Sequence, residues 1–306
     1  MIINNKYISN MKIIAKLFPL ALVAAAAMVS CNGKVSPDAQ DDKVAVQFGS
    51  SITASRAVYD KWTAGDQIGI FMVEENEILS KDAIREDADN IAYKTEGDGA
   101  FSPVTAEQII YFPMDGDVDF HAYYPYTAEV NDYRIALDLS DQSNQEALDL
   151  MYAKVSGRNK SNPKVELNFT HLLCRLILEV QPGTGLTQAD LAKLTVKVKD
   201  VDTKATFNLV DGTISGEETP KGFTMKTVEA GKRYEAILFP TESESREIEF
   251  DLNNDHDGPF TWTMKSALKG GSQYHHLVTL SRTAAEVSGS IKPWDNGGDN
   301  GEHIAK

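Results

Sequence analysis

Short apolar segments that alternate with polar residues recur along most of the chain. In the first half they are VAVQF (44–48), QIGIFMV (67–73), IIYFP (109–113), VDFHAYYPY (118–126), RIALDL (134–139) and KVELNF (164–169). In the second half they are LCRLILEV (173–180), KLTVKVKDV (193–201), KATFNLVDG (204–212), RYEAILFP (233–240), EIEFDLN (247–253), PFTWTM (259–264), HLVTLS (276–281) and EVSGSIKPW (286–294). Runs of β-branched and aromatic residues bounded by turn clusters are typical of short strands. The pattern therefore predicts an all-β protein built from antiparallel β-sandwiches.

Helical signals are few. Thr187–Asp190 has the form of a capping box that opens one short helix, and residues 80–92 and 143–151 are further candidates. The stretch SGRNKSNPK (156–164) contains no large apolar residue and predicts a domain boundary. The expected architecture is two tandem β-sandwich domains with few short helices, over residues 44–160 and 161–306.

The N-terminal segment has the pattern of an export signal. Lys12 and Lys16 precede an apolar run from residue 17 to residue 29. This predicts a signal peptide over residues 1–30, with Met11 as the preferred start because it places the positive charge at the front. The run is short for a membrane span, which needs about 20 apolar residues.

The signal peptide ends on a cysteine. Met28-Val29-Ser30-Cys31 resembles a bacterial lipobox, in which the cysteine becomes the first mature residue and carries lipid. We expect cleavage between Ser30 and Cys31, acylation of the Cys31 thiol and a flexible tether over residues 31–43. The alternative is an ordinary signal peptide with a cysteine nearby. The second cysteine, Cys174, is then unpaired and is expected in the core.

Charge and motifs argue against several classes of function. The formal net charge is -15, whereas a nucleic-acid binder needs clustered Lys and Arg. The chain contains no Gly-x-Ser-x-Gly, His-Glu-x-x-His, Gly-rich phosphate loop or Cys-x-x-Cys motif. His275 and His276 are neighbours in a strand pattern and point to opposite faces, while loop 251–258 lacks the glutamate of a calcium loop at Met264. We therefore predict no enzyme activity, no cofactor and no metal site.

Aromatic residues raise an alternative function, because exposed rings can stack on sugars. The candidates are Trp62, Trp262, Trp294, Tyr123, Tyr124 and Tyr126. Alternation along residues 118–126 favours core packing for most of them. A non-catalytic, glycan-binding lipoprotein of the outer-membrane surface is therefore the alternative to the function considered next.

Several segments share the pattern of one known family, in the same order along the chain. They are WTAGDQIGIFM (62–72), IIYFPMDGDVDFHAYYPY (109–126), DLMYAKV (149–155), VELNFTHLLCRLILEV (165–180), GKRYEAILFP (231–240), GGSQYHHLVTLS (270–281) and SGSIKPW (288–294). Together they resemble the signature segments of the fimbrillin family. The resemblance implies two transthyretin-like β-sandwich domains in a lipoprotein subunit of type V pili, the adhesive fimbriae of the Gram-negative outer membrane. It implies other fimbrial subunits and a host or bacterial surface ligand as partners.

Assembly in that family implies roles for the first residues of the folded chain. An arginine-directed protease removes the N-terminal strand, and a strand from the next subunit fills the groove. Here Val44, Val46 and Phe48 lie on one face of the first strand, suited to plugging such a groove. We expect cleavage between Arg56 and Ala57; the alternative is that Arg56 is a plain surface arginine.

The late segments of the chain bear on the position of this subunit in a fimbrium. Residues 295–306 are rich in Gly, Asn and Asp, so the donor strand is expected within 276–281 or 286–294. These segments also fit the core of the second domain. The pattern favours a minor or tip-like subunit and leaves a stalk role open.

Overall fold

The computed structural model describes residues 43–52, 61–216, 220–282, 284–293 and 303–304. These residues form twenty strands and three short 3-10 helices, which confirms the all-β prediction. The first ten strands are β1 Gln47–Ile52, β2 Gln67–Glu74, β3 Ile91–Thr95, β4 Ala100–Pro103, β5 Val118–Tyr124, β6 Arg134–Asp138, β7 Met151–Arg158, β8 Lys164–His171, β9 Cys174–Pro182 and β10 Thr195–Val198. The others are β11 Lys204–Asn208, β12 Thr213–Gly216, β13 Phe223–Thr224, β14 Lys226–Glu229, β15 Arg233–Leu238, β16 Arg246–Asp251, β17 Phe260–Met264, β18 Ser272–Ser281, β19 Ala284–Pro293 and β20 His303–Ile304.

Seven strands close into a barrel in the order β1-β4-β3-β2-β5-β7-β8. The barrel closes because β1 pairs with β8 in parallel and with β4 in antiparallel orientation. Its core is rich in aromatic side chains, including Phe48, Trp62, Tyr93, Phe101 and Phe120. Two of the ladders that close the barrel are short, since β1 pairs with β4 and β7 pairs with β8 at only two positions each.

The second core lies between two sheets. One has the order β14-β15-β9-β18-β19-β20 and the other β13-β10-β16-β17. Its buried residues are mostly aliphatic, such as Leu176, Val196, Ile248 and Val278. In the larger sheet β9 and β18 pair in parallel, while all the other pairings are antiparallel.

A third sheet joins the two halves of the sequence. β6 pairs with β11, which pairs with β12, so one strand from the first half and two from the second share a ladder. A third core packs behind it and includes Phe71, Leu139, Phe207 and Ile237. The two halves are therefore connected by backbone hydrogen bonds as well as by the chain.

The structure differs from the sequence-based expectations in several places. Both parallel pairs depart from a purely antiparallel arrangement, which is possible because long connections separate the paired strands. The segment 156–164 contains the end of β7, the β7–β8 connection (159–163) and the first residue of β8, all within the barrel. The division into domains at residue 160 and the transthyretin-like character of the domains stay predictions.

The predicted helices are mostly replaced by turns. Residues 80–90 form turns and a bridge between Val73 and Ile84, so the helix prediction there is wrong. Only 3-10 turns form at Glu146–Leu148 and Asp190–Lys193. Segment 109–113 contributes one bridge, from Tyr111 to Ala45, rather than a strand. None of the helices in the described part of the chain is long and apolar enough to cross a membrane.

Candidate assembly site at the first strand

β1 is held along its full length on one side only. Its six residues pair with β8, from Gln47 opposite Lys164 to Ile52 opposite Phe169. On the other side only Phe48 and Gly49 pair with β4. At the start of β1, the chain has neighbours on both sides: Gln47 N–H donates to Pro163 O (2.8 Å) next to β8, whereas Val46 N–H donates to Ile110 O (2.9 Å) on the opposite side.

One face of β1 is an apolar plug. Val46, Phe48 and Ile52 are buried, and Val44 is partly buried against the same core. The Phe48 ring meets Tyr93 and Phe120 edge to face, at centroid distances of 5.1 and 5.3 Å. Alternate residues of a strand face the same way, so the predicted set Val44, Val46 and Phe48 does share the inward face.

The opposite face of β1 is polar and exposed. Gln47 and Ser51 are exposed, and the Ser51 hydroxyl donates to Asn168 Oδ1 at 2.7 Å. Gly49 faces Glu166 of β8, whose carboxylate oxygen would lie 2.6 Å from a Cβ placed at residue 49. The outer face therefore adds few contacts to those that hold β1 in the barrel.

Trp62 packs next to Ile52, at the end of the space that β1 fills in the barrel (the groove). Its ring packs edge to face on Phe101, Tyr124 and Phe169 at centroid distances of 5.0, 5.4 and 5.3 Å. Its indole N–H has no hydrogen-bond partner among the described residues. Trp62 is thus a core residue of the barrel rather than a sugar platform.

The turn after Trp62 explains the Gly-Asp pair of the WTAGD segment. Gly65 adopts a positive φ of 97°, a conformation that glycine takes readily. Asp66 then accepts the Thr63 N–H (2.7 Å) and the Tyr124 hydroxyl (3.2 Å). Burial, with the Asp66 charge, raises the pKa of Tyr124, so this hydroxyl stays a neutral donor. The turn thereby fixes Trp62 over the end of the groove.

The remaining predicted sites fall outside the described residues or in the second half. Ser30, Cys31, Arg56, Ala57 and Trp294 lie outside the part that the structure describes. The two donor candidates lie in β18 and β19, which pair with each other along ten residues.

The polar candidates of the second half have structural partners. His276 packs on Trp262 at a ring distance of 5.0 Å, whereas His275 faces Glu179 on the other side of the sheet (Nε2 to Oε1, 3.3 Å). Cys174 is buried and free; burial raises its pKa to about 12, which makes it an unreactive core thiol. Among the described residues no three His, Cys, Asp or Glu side chains are placed to hold a metal ion.

Several residues that complete the groove were not predicted. Ile52 extends the inward face by two more positions, and Trp62 blocks the end of the groove. The period-two spacing from Phe48 to Ile52 contains that signal for Ile52. No sequence signal links Pro163 or Ile110 to β1, because both are distant in the chain.

Comparison with known proteins shows what this chain is similar to. The model of the fimbrillin-like family matches residues 55–294. A protein of Bacteroides uniformis named "Putative fimbrium subunit Fim1C" is 35% identical over 300 residues, covering 92% of this chain and 96% of that protein. A crystal structure described as a "putative cell adhesion protein" from the same species has a TM-score of 0.71 at 34% identity, covering 82% of this chain and 99% of the other. A second such structure, from Bacteroides ovatus, has the same fold, with a TM-score of 0.66 at 24% identity and coverages of 82% and 98%.

Proposed function

This chain belongs to the fimbrillin-like family, and we propose that it is a subunit of an adhesive fimbrium at the surface of the bacterial outer membrane. The family is one of structural, non-catalytic subunits, which agrees with the lack of enzyme motifs in the sequence. The cell-adhesion description of the relative with the same fold and 34% identity supports a role in adhesion.

The observation that carries the proposal is the unequal attachment of β1, which has six paired residues with β8 and two with β4. A strand with one full-length neighbour and a row of inward apolar side chains is suited to replacement by an equivalent strand. Its removal would uncover the edges of β4 and β8 and the pocket of Phe48. An incoming strand would restore both the main-chain hydrogen bonds and the apolar plug, and would join two subunits.

Export and activation follow from the N-terminal residues. The proposal assigns the lipid to Cys31, which carries the chain to the outer membrane. It assigns processing to the Arg56–Ala57 bond, which lies in the connection between β1 and Trp62. Cutting this bond would break the covalent link from β1 and the lipid anchor to the rest of the barrel, so that only non-covalent contacts would still hold β1.

The proposed role within the fimbrium is that of a minor or tip-like subunit. β18, which contains one donor candidate, lies inside a six-stranded sheet between β9 and β19. A subunit whose late strands stay in its own sheet accepts a donor strand more readily than it supplies one. This supports a position at an end of the polymer.

Processing at Arg56 is tested by comparing two arginine variants in the full lipoprotein. Arg56→Lys removes the proposed site and keeps the charge, while Arg85→Lys is the matched control, in a loop with a side chain that is 41% exposed. In cells that also make the other fimbrial subunits, we expect wild type and Arg85→Lys to start at Ala57 and to appear in a heat-sensitive ladder on unboiled gels. Arg56→Lys is expected to keep its lipid and stay monomeric. An unchanged N-terminus and ladder in Arg56→Lys would refute the processing step.

The lipid is tested separately with Cys31→Ser. We expect this variant to lose incorporation of radiolabelled fatty acid and to leave the membrane fraction. Retained labelling would show that another residue carries the lipid, and labelling of neither protein would favour an ordinary signal peptide.

A further inference from the structure

A cavity of about 710 Å³ opens in the second half of the chain, away from β1. It lies where the ends of β10 and β15, the β12 strand and the start of β16 meet. Its volume is within the range of about 300–1,000 Å³ that is usual for small-ligand sites. Nothing in the proposed assembly mechanism uses it.

Arg246 lines this cavity and is 5% exposed. Its guanidinium donates to the carbonyl oxygens of Ser266 (2.6 Å) and Ser243 (2.7 Å). Among the described residues no carboxylate lies within 4.0 Å of it. Burial lowers the pKa of Arg246, because it removes water from the cation. Buried arginines are ordinarily paired, so this one has the capacity to receive an anion.

The walls of the cavity combine hydroxyl groups, carboxylates and flat apolar faces. Hydroxyls come from Thr213, Thr241, Ser243 and Ser245, and carboxylates from Asp200 and Asp202. Apolar faces come from Pro220, Phe239 and Pro240. Pyranose rings present hydroxyls at their edges and C–H groups on their faces, and both kinds of surface find partners here.

We propose that this cavity binds a carboxylated sugar residue, with the sugar carboxylate paired to Arg246. A guanidinium binds a carboxylate through two parallel N–H···O bonds, and the pair is strong where water is excluded. The sugar hydroxyls donate to Asp200 and Asp202 and exchange hydrogen bonds with the Thr and Ser hydroxyls. The inference deepens the proposed adhesive function by giving the ligand a chemical class and a site.

The charges of the chain narrow that class further. A neutral sugar would leave Arg246 without a counter-ion, while an extended polyanion would meet a chain with a net charge of -15. One carboxylate on a hydroxyl-rich ring satisfies both conditions. We therefore expect a single terminal uronic acid to bind better than either a neutral sugar or a highly sulfated chain.

The test uses two pairs of sugars that differ only in the C6 carboxylate. They are D-glucuronate against D-glucose and D-galacturonate against D-galactose, titrated into the purified protein and followed by saturation-transfer NMR and by Tm. We expect at least one acid to bind at least tenfold more tightly than its neutral partner and to raise Tm as its concentration rises. If neither acid binds, or acid and neutral sugar bind equally, the proposal is wrong.

Two variants keep the test decisive if the arginine also supports folding. Arg246→Gln is expected to abolish the tenfold preference for the acid, with folding checked by circular dichroism. Ser245→Trp, at an exposed residue of the lining, is expected to block binding by filling the cavity; Ser161→Trp, on the exposed β7–β8 turn, is the matched control and should bind as wild type. Full binding by Ser245→Trp would overturn the site. Because binding is measured on unprocessed monomer, its failure would leave the assembly proposal standing, and failed assembly would not affect this test.

Discussion

β1 and β18 are the parallel partners in the two halves of the molecule, and they are held very differently. β1 has six residues, pairs fully with β8 and touches β4 at only two positions. β18 has ten residues, pairs with β9 along nine of them and with β19 along all ten. Both place alternate apolar side chains in a core, Phe48 in one and Val278 in the other.

The difference distinguishes a strand that is fixed within its own sheet, β18, from a strand that is held mainly by one neighbour, β1. Withdrawing β18 would break two complete ladders in the middle of a sheet, whereas withdrawing β1 would break one ladder and part of another. Since a main-chain hydrogen bond contributes about 1 kcal/mol, the second process costs much less. This difference supports the proposal that β1 is the strand that an incoming strand replaces.

The largest expected effect on assembly comes from a disulfide that locks β1 to its parallel partner β8. Ser51 lies opposite Asn168 in the β1–β8 pair, and their side chains are hydrogen-bonded at 2.7 Å. In the locked variant, both residues are replaced by Cys. Cross-strand neighbours have Cα separations compatible with a disulfide. We expect the oxidised Ser51→Cys/Asn168→Cys protein to be cleaved normally but to form no multimers, and dithiothreitol to restore the full ladder.

The matched control locks β18. Gln181 and Thr279 are opposite each other in the β9–β18 pair and share a 2.8 Å hydrogen bond, so Gln181→Cys/Thr279→Cys places an equivalent disulfide there. We expect this protein to accept a donor strand at wild-type level. The proposed difference between β1 and β18 would be contradicted if the control no longer accepted a donor strand. It would also be contradicted if the oxidised Ser51→Cys/Asn168→Cys protein assembled. Cys174 is buried and is not expected to interfere.

Truncating the plug of β1 has the next largest effect. Phe48→Ala is expected to lower the free energy of unfolding by about 3–5 kcal/mol, because it removes a buried ring from between Tyr93 and Phe120. Gln47→Ala, at the exposed neighbour, is expected to change it by less than about 0.5 kcal/mol. Urea denaturation measures both. Equal effects would mean that the side chains of β1 do not anchor it.

The inward face of β1 could be predicted from the sequence, but its partner could not. Val44, Val46 and Phe48 alternate with polar residues, and this spacing alone places them on one face of a strand. Alternation says nothing about which strand lies alongside, or in which direction. Ser51 and Asn168 are 117 residues apart, so only the folded chain identifies β8 as the parallel neighbour.

Strand pairing and cavities elsewhere in the molecule could not be predicted for the same reason, since both depend on residues that are distant in the chain. β6 and β11 are each recognisable as strands, yet their pairing across the two halves depends on the third core behind them. The cavity around Arg246 gathers residues from several loops, and no local motif marks it. Short-range chemistry such as the Gly65–Asp66 turn was visible as a motif, although its purpose became clear only from the contacts of Trp62.

Acid is expected to weaken both halves through one buried histidine in each. Burial, with the charge of Lys154, lowers the pKa of His121 in the barrel to about 4, and burial lowers the pKa of His276 in β18 to about 4. The unfolded chain takes up these protons near pH 6.5, so stability falls as the pH drops from 6.5 towards 4. The loss is expected to reach about 3 kcal/mol for each residue at most.

Unfolding by urea between pH 7.5 and 5 measures this loss, in a range above the titration of most carboxylates. The double variant His121→Gln/His276→Gln is expected to flatten the pH dependence over that range. His256→Gln, at an exposed residue, should keep the wild-type slope. An unchanged slope in the double variant would show that other groups cause the loss.

The smallest effect tests whether the two halves are energetically coupled. The Tyr152 hydroxyl of the barrel donates to Leu209 O at 3.1 Å, beyond β11, and accepts from Nδ1 of neutral His121 at 2.6 Å. Tyr152→Phe leaves both groups without this partner and is expected to cost about 1–2 kcal/mol. Tyr126→Phe is the control, since its hydroxyl has no hydrogen-bond partner among the described residues, and should change stability by less than about 0.5 kcal/mol. If the shared β6–β11 ladder couples the halves, Tyr152→Phe still unfolds in one transition, at a lower urea midpoint. Two separated transitions would show that the barrel and the second core unfold independently. In that case the Tyr152 hydroxyl would be a main link between them.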